Sequence, residues 1–431
     1  MTEQLKLKLN DSKATRWGAL VIVAFTMMAA YYVNDVVAPL KTMLETDLAW
    51  SSTDFGFFTG GYSFLNVFFL MLIWGGLILD RFGIRFTGKL ATILMVGGTA
   101  LEYYAMTGLA GADATLFGIN EIFGYKTGVF VAFAGYSIFG VGAEVAGITV
   151  SKIIAKWFKG KELATAMGVQ VALARIGSQA GYAVAIPLAR AFGISTPVLL
   201  GLVLLLGGMI AFFIFAVMDK KLDKQMEAAA IAAGTEDEEE KFSFKDVKNI
   251  LVNPGFWLIA LLCVLFYSCV FPFQKFASEL MIIKYGINEN VAGTFAGLPA
   301  LGALILTPVF GGFIDKRGKS ASIMLLGSAM LICVHFIYAI PDINYWLVAI
   351  VLMIILGIAF SLVPSAMWPA VAKIFPVSQL GTAYALIFFI QNIGLWGIPT
   401  LIGWVLDAYC ISGKKPDGTN MYDYTVPMCI F

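Results

Sequence analysis

Long apolar runs, each about twenty residues or more, alternate with short polar stretches along almost the whole 431-residue chain. In a hydrocarbon layer ~30 Å thick each backbone amide must find its partner inside its own segment, so such runs predict membrane-crossing helices. The pattern predicts eleven of them, over residues 17–40, 52–79, 86–108, 129–157, 162–189, 194–218, 255–284, 291–315, 320–340, 344–372 and 378–406. Met421 to Phe431 reads as the apolar opening of a twelfth span, cut short where the chain stops. Asp219 to Asn253 is the one long polar segment between runs. Its first part, Lys220 to Ala233, has the composition of a helix lying on the membrane surface, and the acidic run from Glu236 to Glu240 that of a solvated stretch.

Composition strengthens this picture: 59% of residues are hydrophobic and 13% charged, too little polar surface for a water-soluble fold. The net charge of +1 predicts no nucleic-acid partner. Of the Lys and Arg between spans, 21 fall on the side of the N-terminus and 6 (Lys41, Lys126, Arg190, Lys284, Lys414, Lys415) on the other, so the N-terminus is expected in the cytoplasm. For a bacterial protein the host membrane would be the inner one. Met1 to Arg16 is polar and the first apolar run has full span length, which predicts no cleavable leader. Cys263, Cys269, Cys333, Cys410 and Cys429 have neither CxxC nor Cys/His spacing, so no metal site and no cofactor are expected. The spans offer no Ser/His or Cys/His arrangement, which argues against an enzyme.

The polar segment divides the chain into an N-terminal bundle (1–218), a cytoplasmic linker (219–253) and a C-terminal bundle (254–431). A short pattern occurs at the same place in each half: Gly76-x-x-x-Asp80-Arg81-x-Gly83-x-Arg85, then Gly311-x-x-x-Asp315-Lys316-x-Gly318. An internal repeat of this kind marks a two-bundle transporter with its solute site between the bundles. The doubled loop resembles the signature of the major facilitator superfamily. That resemblance implies an all-α membrane fold of two six-helix bundles rocking about a central cavity. In such a loop the carboxylate can tie helix ends together while the glycines allow close approach, which makes Asp80, Arg81, Gly83, Asp315 and Lys316 candidate conformational residues.

Ionisable groups inside spans cost roughly 2.5–3.5 kcal/mol each on insertion scales and so call for a partner or a wet cavity. Glu144 and Arg175 flank the turn at Phe158 to Lys161, each about 14 residues away, which at 1.5 Å per residue places both at one depth beyond the middle of the core. On adjacent antiparallel helices they can present a carboxylate and a guanidinium to one zwitterionic solute. The alternative is a salt bridge that closes on itself. Arg175 beside Glu144 favours the carboxylate, which points to uniport rather than proton coupling. Asp35 and Lys275 occupy repeat-related helices in the outer half. Asp35 is a candidate for the solute amine or an outer gate, with Lys275 approaching it on closure or snorkelling to the interface. His335, the sole histidine, has no carboxylate in its own span and is expected to be packed. Tyr31, Tyr62, Asn66, Tyr267, Phe273, Trp368, Gln391 and Asn392 are candidates for cavity walls, and Pro272, Pro364 and Pro369 for kinks around it.

Further stretches are similar to one branch of that superfamily, the lysosomal dipeptide transporters. They include Tyr31 to Asp35, Asp80-Arg81-Phe82-Gly83-Ile84-Arg85, Trp157 to Leu163, Ala174-Arg175-Ile176-Gly177-Ser178, Val270-Phe271-Pro272-Phe273, Met367-Trp368-Pro369 and Gln379 to Tyr384 with Gln391-Asn392. The resemblance implies passage of dipeptides, with Arg175 on the solute carboxylate and Glu144 near its amino end. Lys275 and the acidic linker depart from the pattern. An added cation at 275 opens a second reading, an organic-anion or dicarboxylate carrier in which Arg175 and Lys275 both hold carboxylates.

Overall fold

The structure, a computed structural model, describes residues 8–111, 114–159, 161–233, 244–375, 377–415 and 417–431. Its helices are α1 Lys13–Val36, α2 Lys41–Asp47, α3 Ser52–Phe68, α4 Met71–Ala105, α5 Thr127–Trp157, α6 Leu163–Phe192, α7 Thr196–Ala233, α8 Phe244–Val252, α9 Pro254–Ile283, α10 Glu289–Ala296, α11 Leu298–Arg317, α12 Ser320–Ala339, α13 Trp346–Ile374, α14 Val377–Tyr409 and α15 Thr425–Ile430. Polar residues cap several of them. Ser12 caps α1, Ser51 and Asp54 form a reciprocal capping box on α3, and Asn253 caps α9 with Pro254 in its first turn.

Among the described residues eight helices are long and apolar enough to cross a membrane unaided, and α3 with α4 forms a further pair bent by 58°. Gly83, at φ 74° and ψ 174°, breaks α4 into two passages, and the 30-residue α6 is long enough for another. The path therefore follows the eleven predicted spans. Its equivalent in the repeat, Gly318, ends α11 at φ 67° and ψ −130°. Both loop glycines thus occupy backbone that a side chain would strain, a physical reason for the repeated motif.

Three features differ from the hydropathy reading. The second span is interrupted at Leu70, whose φ of 53° is left-handed. The eighth is interrupted at Gly297, between α10 and α11. The sixth does not stop at residue 218, and no separate surface helix forms over 220–233: α7 runs on as one rod of 38 residues, about 57 Å long. Ion pairs hold that extension. Asp219 accepts from Lys156 at 2.8 Å and from Trp157 Nε1 at 2.9 Å, while Asp223 pairs with Arg85 at 2.7 Å. The acidic run Glu236 to Glu240 lies outside the described residues.

Within the first half α1 packs on α6 and α7, and α4 on α5 and α7. In the second, α11 and α12 pack on α13 and α9 on α14. The halves meet where α3 lies along α14 and α6 along α10 and α11. Close approach there depends on small residues: a Cβ on Gly56 would fall 2.4 Å from Pro399 O, and one on Gly403 2.3 Å from Ser52 O. Two antiparallel hairpins decorate the end of the bundle opposite the N-terminus, here called the far end. They are β1 Glu121–Ile122 with β2 Tyr125–Lys126, and β3 Ile411–Lys414 with β4 Asn420–Tyr422.

Candidate functional site

Arg175 projects from α6 into the seam between the halves. Its guanidinium carbon lies 5.6 Å from the Tyr31 ring of α1 and 4.9 Å from the Phe360 ring of α13. These aromatic faces attract a cation but leave its five N–H donors uncommitted. No ion pair or hydrogen bond engages Arg175 among the described residues. Glu144, on α5, accepts one hydrogen bond of 2.9 Å from Tyr62 of α3. The two charges do not close on each other: no carboxylate oxygen of Glu144 comes within 4.0 Å of the guanidinium. Both side chains are half-buried, as are Tyr31 and Tyr62. The arrangement is a guanidinium and a carboxylate, each meeting a tyrosine and neither bonded to the other.

Tyr267 and Trp368 line the second half beside this place, with Trp368 Nε1 donating to Tyr267 Oη at 3.2 Å and Tyr267 stacked on Phe271. Gln391 is buried against Cys263, 3.4 Å from its sulfur. Phe273, expected at the cavity wall, instead points into the second bundle, fully buried against His335, Tyr338 and Phe431. The reason is helical geometry: α9 turns residues 267 and 271 toward the seam, so 273 faces away. His335 is packed in that aromatic cluster. Asn66 and Asn392 are both buried.

Toward the far end, Lys275 of α9 reaches across the seam to α1. Its Nζ lies 3.1 Å from Asp35 Oδ1, 2.5 Å from Asn34 O and 3.4 Å from Tyr136 Oη. Ser178 of α6 donates to the other oxygen of Asp35 at 2.6 Å, and Asn34 Nδ2 to the first at 2.8 Å. Asp35 is therefore held by protein groups here, Oδ1 by Lys275 and Asn34 and Oδ2 by Ser178. At the opposite end Asp80 pairs with Lys152 of α5 at 2.9 Å on the surface, and Arg81 lies over its neighbour Phe82. Lys316 is exposed, and the side chain of Asp315 lies outside the described residues.

Ties between the halves gather at the far end. Besides Lys275 and Asp35, they include Lys41 with Glu279 at 2.6 Å, Arg190 with Glu289, and Asp407 of α14 with the Thr53 amide at 2.6 Å. The ion pairs described at the N-terminal end, such as Arg16 with Glu162 and Lys156 with Asp219, stay within the first half. Sequence reasoning passed over Phe360, which is one of many phenylalanines, and Lys41, which it counted with the loops. Glu279 carried a readable signal, a carboxylate inside an apolar run.

Residues 20–397 match the family model of the Major Facilitator Superfamily. The lysosomal dipeptide transporter MFSD1 of Homo sapiens is 29% identical over 409 residues, covering 92% of this chain and 81% of that protein. Its counterpart in Gallus gallus is 33% identical over 287 residues, 64% of this chain and 62% of that one. Among solved structures, a mutant of the nucleoside transporter NupG superposes with a TM-score of 0.69 at 12% identity, covering 96% of this chain and 95% of that one. A bacterial homolog of the human lysosomal transporter Spinster, inward-facing and unoccupied, superposes at 0.65 with 15% identity, over 92% and 84%. At those identities the likeness is one of fold. The family match spans most of the chain and agrees with the bundle of apolar helices, so this protein is a multi-pass, all-helical membrane transporter that belongs to the Major Facilitator Superfamily.

Proposed function

We propose that this protein is a dipeptide uniporter working by alternating access, with its N-terminus in the cytoplasm and the bundles 1–218 and 254–431 rocking about the seam. The observation that carries the reading is Arg175: a guanidinium between Tyr31 of one half and Phe360 of the other, free of any carboxylate among the described residues. Arg175 takes the solute carboxylate, Glu144 its ammonium, and Tyr31, Tyr62, Tyr267 and Trp368 flank the chain between them. A zwitterion brings both neutralising charges with it, so no coupled proton is required. Similarity to proteins named dipeptide transporters supports the same solute class. The organic-anion reading needs Lys275 as a second carboxylate holder, and the bond from Lys275 to Asp35 disfavours it.

Thermal unfolding of the detergent-solubilised protein tests the proposal against free dipeptides, N-acetylated dipeptides, single amino acids and dicarboxylates. A ligand at a hundred times its Kd adds about 2.7 kcal/mol of stability. Stabilisation by free dipeptides, lost in Arg175→Ala and in Glu144→Ala, is expected. Stabilisation by dicarboxylates or acetylated peptides that ignores Glu144→Ala would overturn it. In vesicles, uniport predicts dipeptide uptake without an imposed pH gradient.

A further inference from the structure

The loop between α4 and α5 repeats a short pattern, Leu116-Phe117-Gly118-Ile119 and then Ile122-Phe123-Gly124-Tyr125. Each copy is a tight turn. Leu116 and Ile119 exchange backbone hydrogen bonds of 3.0 Å, and Ile122 pairs with Tyr125 between β1 and β2. The two central residues of each turn have positive φ, 54° at Phe117 and 79° at Gly118, then 53° at Phe123 and 81° at Gly124, the pattern of a type I′ turn. Asparagine is the usual residue other than glycine in such backbone, and phenylalanine strains it. Yet both rings are almost bare, Phe117 95% and Phe123 88% exposed, so packing within the chain does not account for either.

The turns are tied to a membrane-crossing helix. Thr127, the first residue of α5, donates from its amide to Asn120 O at 2.9 Å and from Oγ1 to Ile119 O at 2.8 Å. With 31 residues α5 is about 46 Å long against ~30 Å of hydrocarbon, so its ends reach the headgroup layers. Rather than standing off into water, the Phe123 ring folds back to 5.9 Å from that of Phe130 in the first turn of α5. The helix from which the loop leaves, α4, exposes Ile93, Leu101 and Tyr104 along one face, the side such a helix turns to lipid. Of residues 114–126 only Glu121 and Lys126 are charged, so this stretch has no net charge. We propose that Phe117 and Phe123 anchor the far end of the first bundle in the adjoining lipid leaflet, and that the partner they fit is zwitterionic phospholipid. Immersion of the two rings removes apolar surface from water and so offsets the strained backbone that presents them. The anchor follows from the membrane fold and does not depend on which solute is carried.

The test is a depth measurement on the full-length protein in dioleoylphosphatidylcholine vesicles that hold no other protein. The five native cysteines are replaced and a nitroxide is attached at one site at a time. Labels at Phe117→Cys and Phe123→Cys should lie about 5–10 Å into the headgroup and acyl boundary, read from their relaxation by oxygen against a water-soluble nickel complex. A label at Asp417→Cys, exposed on the turn between β3 and β4, should lie in water. Because the first two substitutions remove the rings they report on, a label at the exposed Ile119→Cys reads the depth of the loop with both rings in place. In the Phe117→Asn, Phe123→Asn double variant, whose side chains suit left-handed backbone and so keep the turns, that label should move out into the aqueous phase. Thermal unfolding no lower than the parent's checks the fold of the double variant, and the labels at 117 and 123 decide the matter alone if it fails to fold. Labels there as open to the nickel complex as the one at 417 would overturn the anchor and make the tips a surface for a protein partner instead. Unchanged immersion of the label at 119 in the double variant would overturn it too, since the loop would then lie in the leaflet without its rings.

Discussion

Among the described residues Glu144 is held by one hydrogen bond, from Tyr62 Oη at 2.9 Å. A hydrogen bond to a charged acceptor in a partly buried site contributes about 1.5–3 kcal/mol, so its loss lets the carboxylate leave the position that meets an ammonium. Tyr62→Phe is therefore expected to raise the Kd for a free dipeptide about tenfold while leaving binding of an N-acetylated one unaltered, as read by titration of the purified protein. Equal affinity for free dipeptide in the variant would remove Glu144 from the amine end. A second residue-level prediction concerns the turn before α6. Glu162 Oε2 accepts from Arg16 at 2.9 Å and from Trp17 at 3.2 Å, and those bonds, that of Arg16 first, hold its carboxyl below the ordinary 4.5. A depressed carboxyl stabilises the fold above its ordinary value and loses that contribution as pH falls through the folded one. The Arg16–Glu162 contact should accordingly persist from pH 7 to pH 5 and release only below about 4.5. Deuterium exchange of residues 161–168, corrected for intrinsic rates, should stay flat over the upper range. In Arg16→Ala it should be raised already at neutral pH.

At the scale of helices, close packing between elements predicts where a methyl group is tolerated. A Cβ on Gly140 of α5 would fall 2.0 Å from Tyr62 O, and one on Gly177 of α6 2.1 Å from Met28 O, each against rigid backbone. Gly147, on the same helix as Gly140, meets nothing nearer than Met27 Cε at 3.9 Å. Gly140→Ala and Gly177→Ala should each destabilise by about 1–3 kcal/mol, whereas Gly147→Ala should be neutral or stabilising by up to about 1 kcal/mol from helix propensity. Thermal unfolding in detergent separates the two groups. Equal cost at all three positions would mean that α3–α5 and α1–α6 are not packed so closely. The spans themselves were legible in the chain because lipid admits only helices of a certain apolar length, so ends such as 127–157 and 320–339 fall within three residues of the hydropathy reading. The continuation of α7 was not legible. It depends on Asp219 and Asp223 meeting Lys156 and Arg85 from two other helices, and a hydropathy run ends where charge begins whether or not the helix does.

For the molecule as a whole, spacing along the chain singled out Glu144 and Arg175, which meet Tyr62 of α3 and Tyr31 of α1. What faces Arg175 from the other half was not readable, because Phe360 arrives through packing between bundles rather than through spacing along one. The same holds for Asp407, which carries the last prediction. It sits near the end of α14 and reaches the start of α3 in the opposite half, accepting from Thr53 N at 2.6 Å, Thr53 Oγ1 at 2.7 Å and Ser52 N at 3.3 Å. A carboxylate on a helix N-terminus is favoured by free amide donors and by the helix dipole. Yet α3 already has its own cap in Ser51 and Asp54, so Asp407 adds a tie between the halves rather than the helix's stability. Asp407→Asn should leave α3 intact and loosen the far end. The measurement is modification of Ala292→Cys, buried beside the seam on α10, by a membrane-impermeant thiol reagent applied from the far side, with the five native cysteines replaced. Asp407→Asn should raise the labelling rate severalfold, about what losing one or two charge-assisted hydrogen bonds in a partly hydrated seam allows. A dipeptide that binds best with the far end closed should suppress that increase. An unchanged rate would mean that Asp407 only decorates the seam, leaving Lys275 with Asp35 and Lys41 with Glu279 to hold it shut.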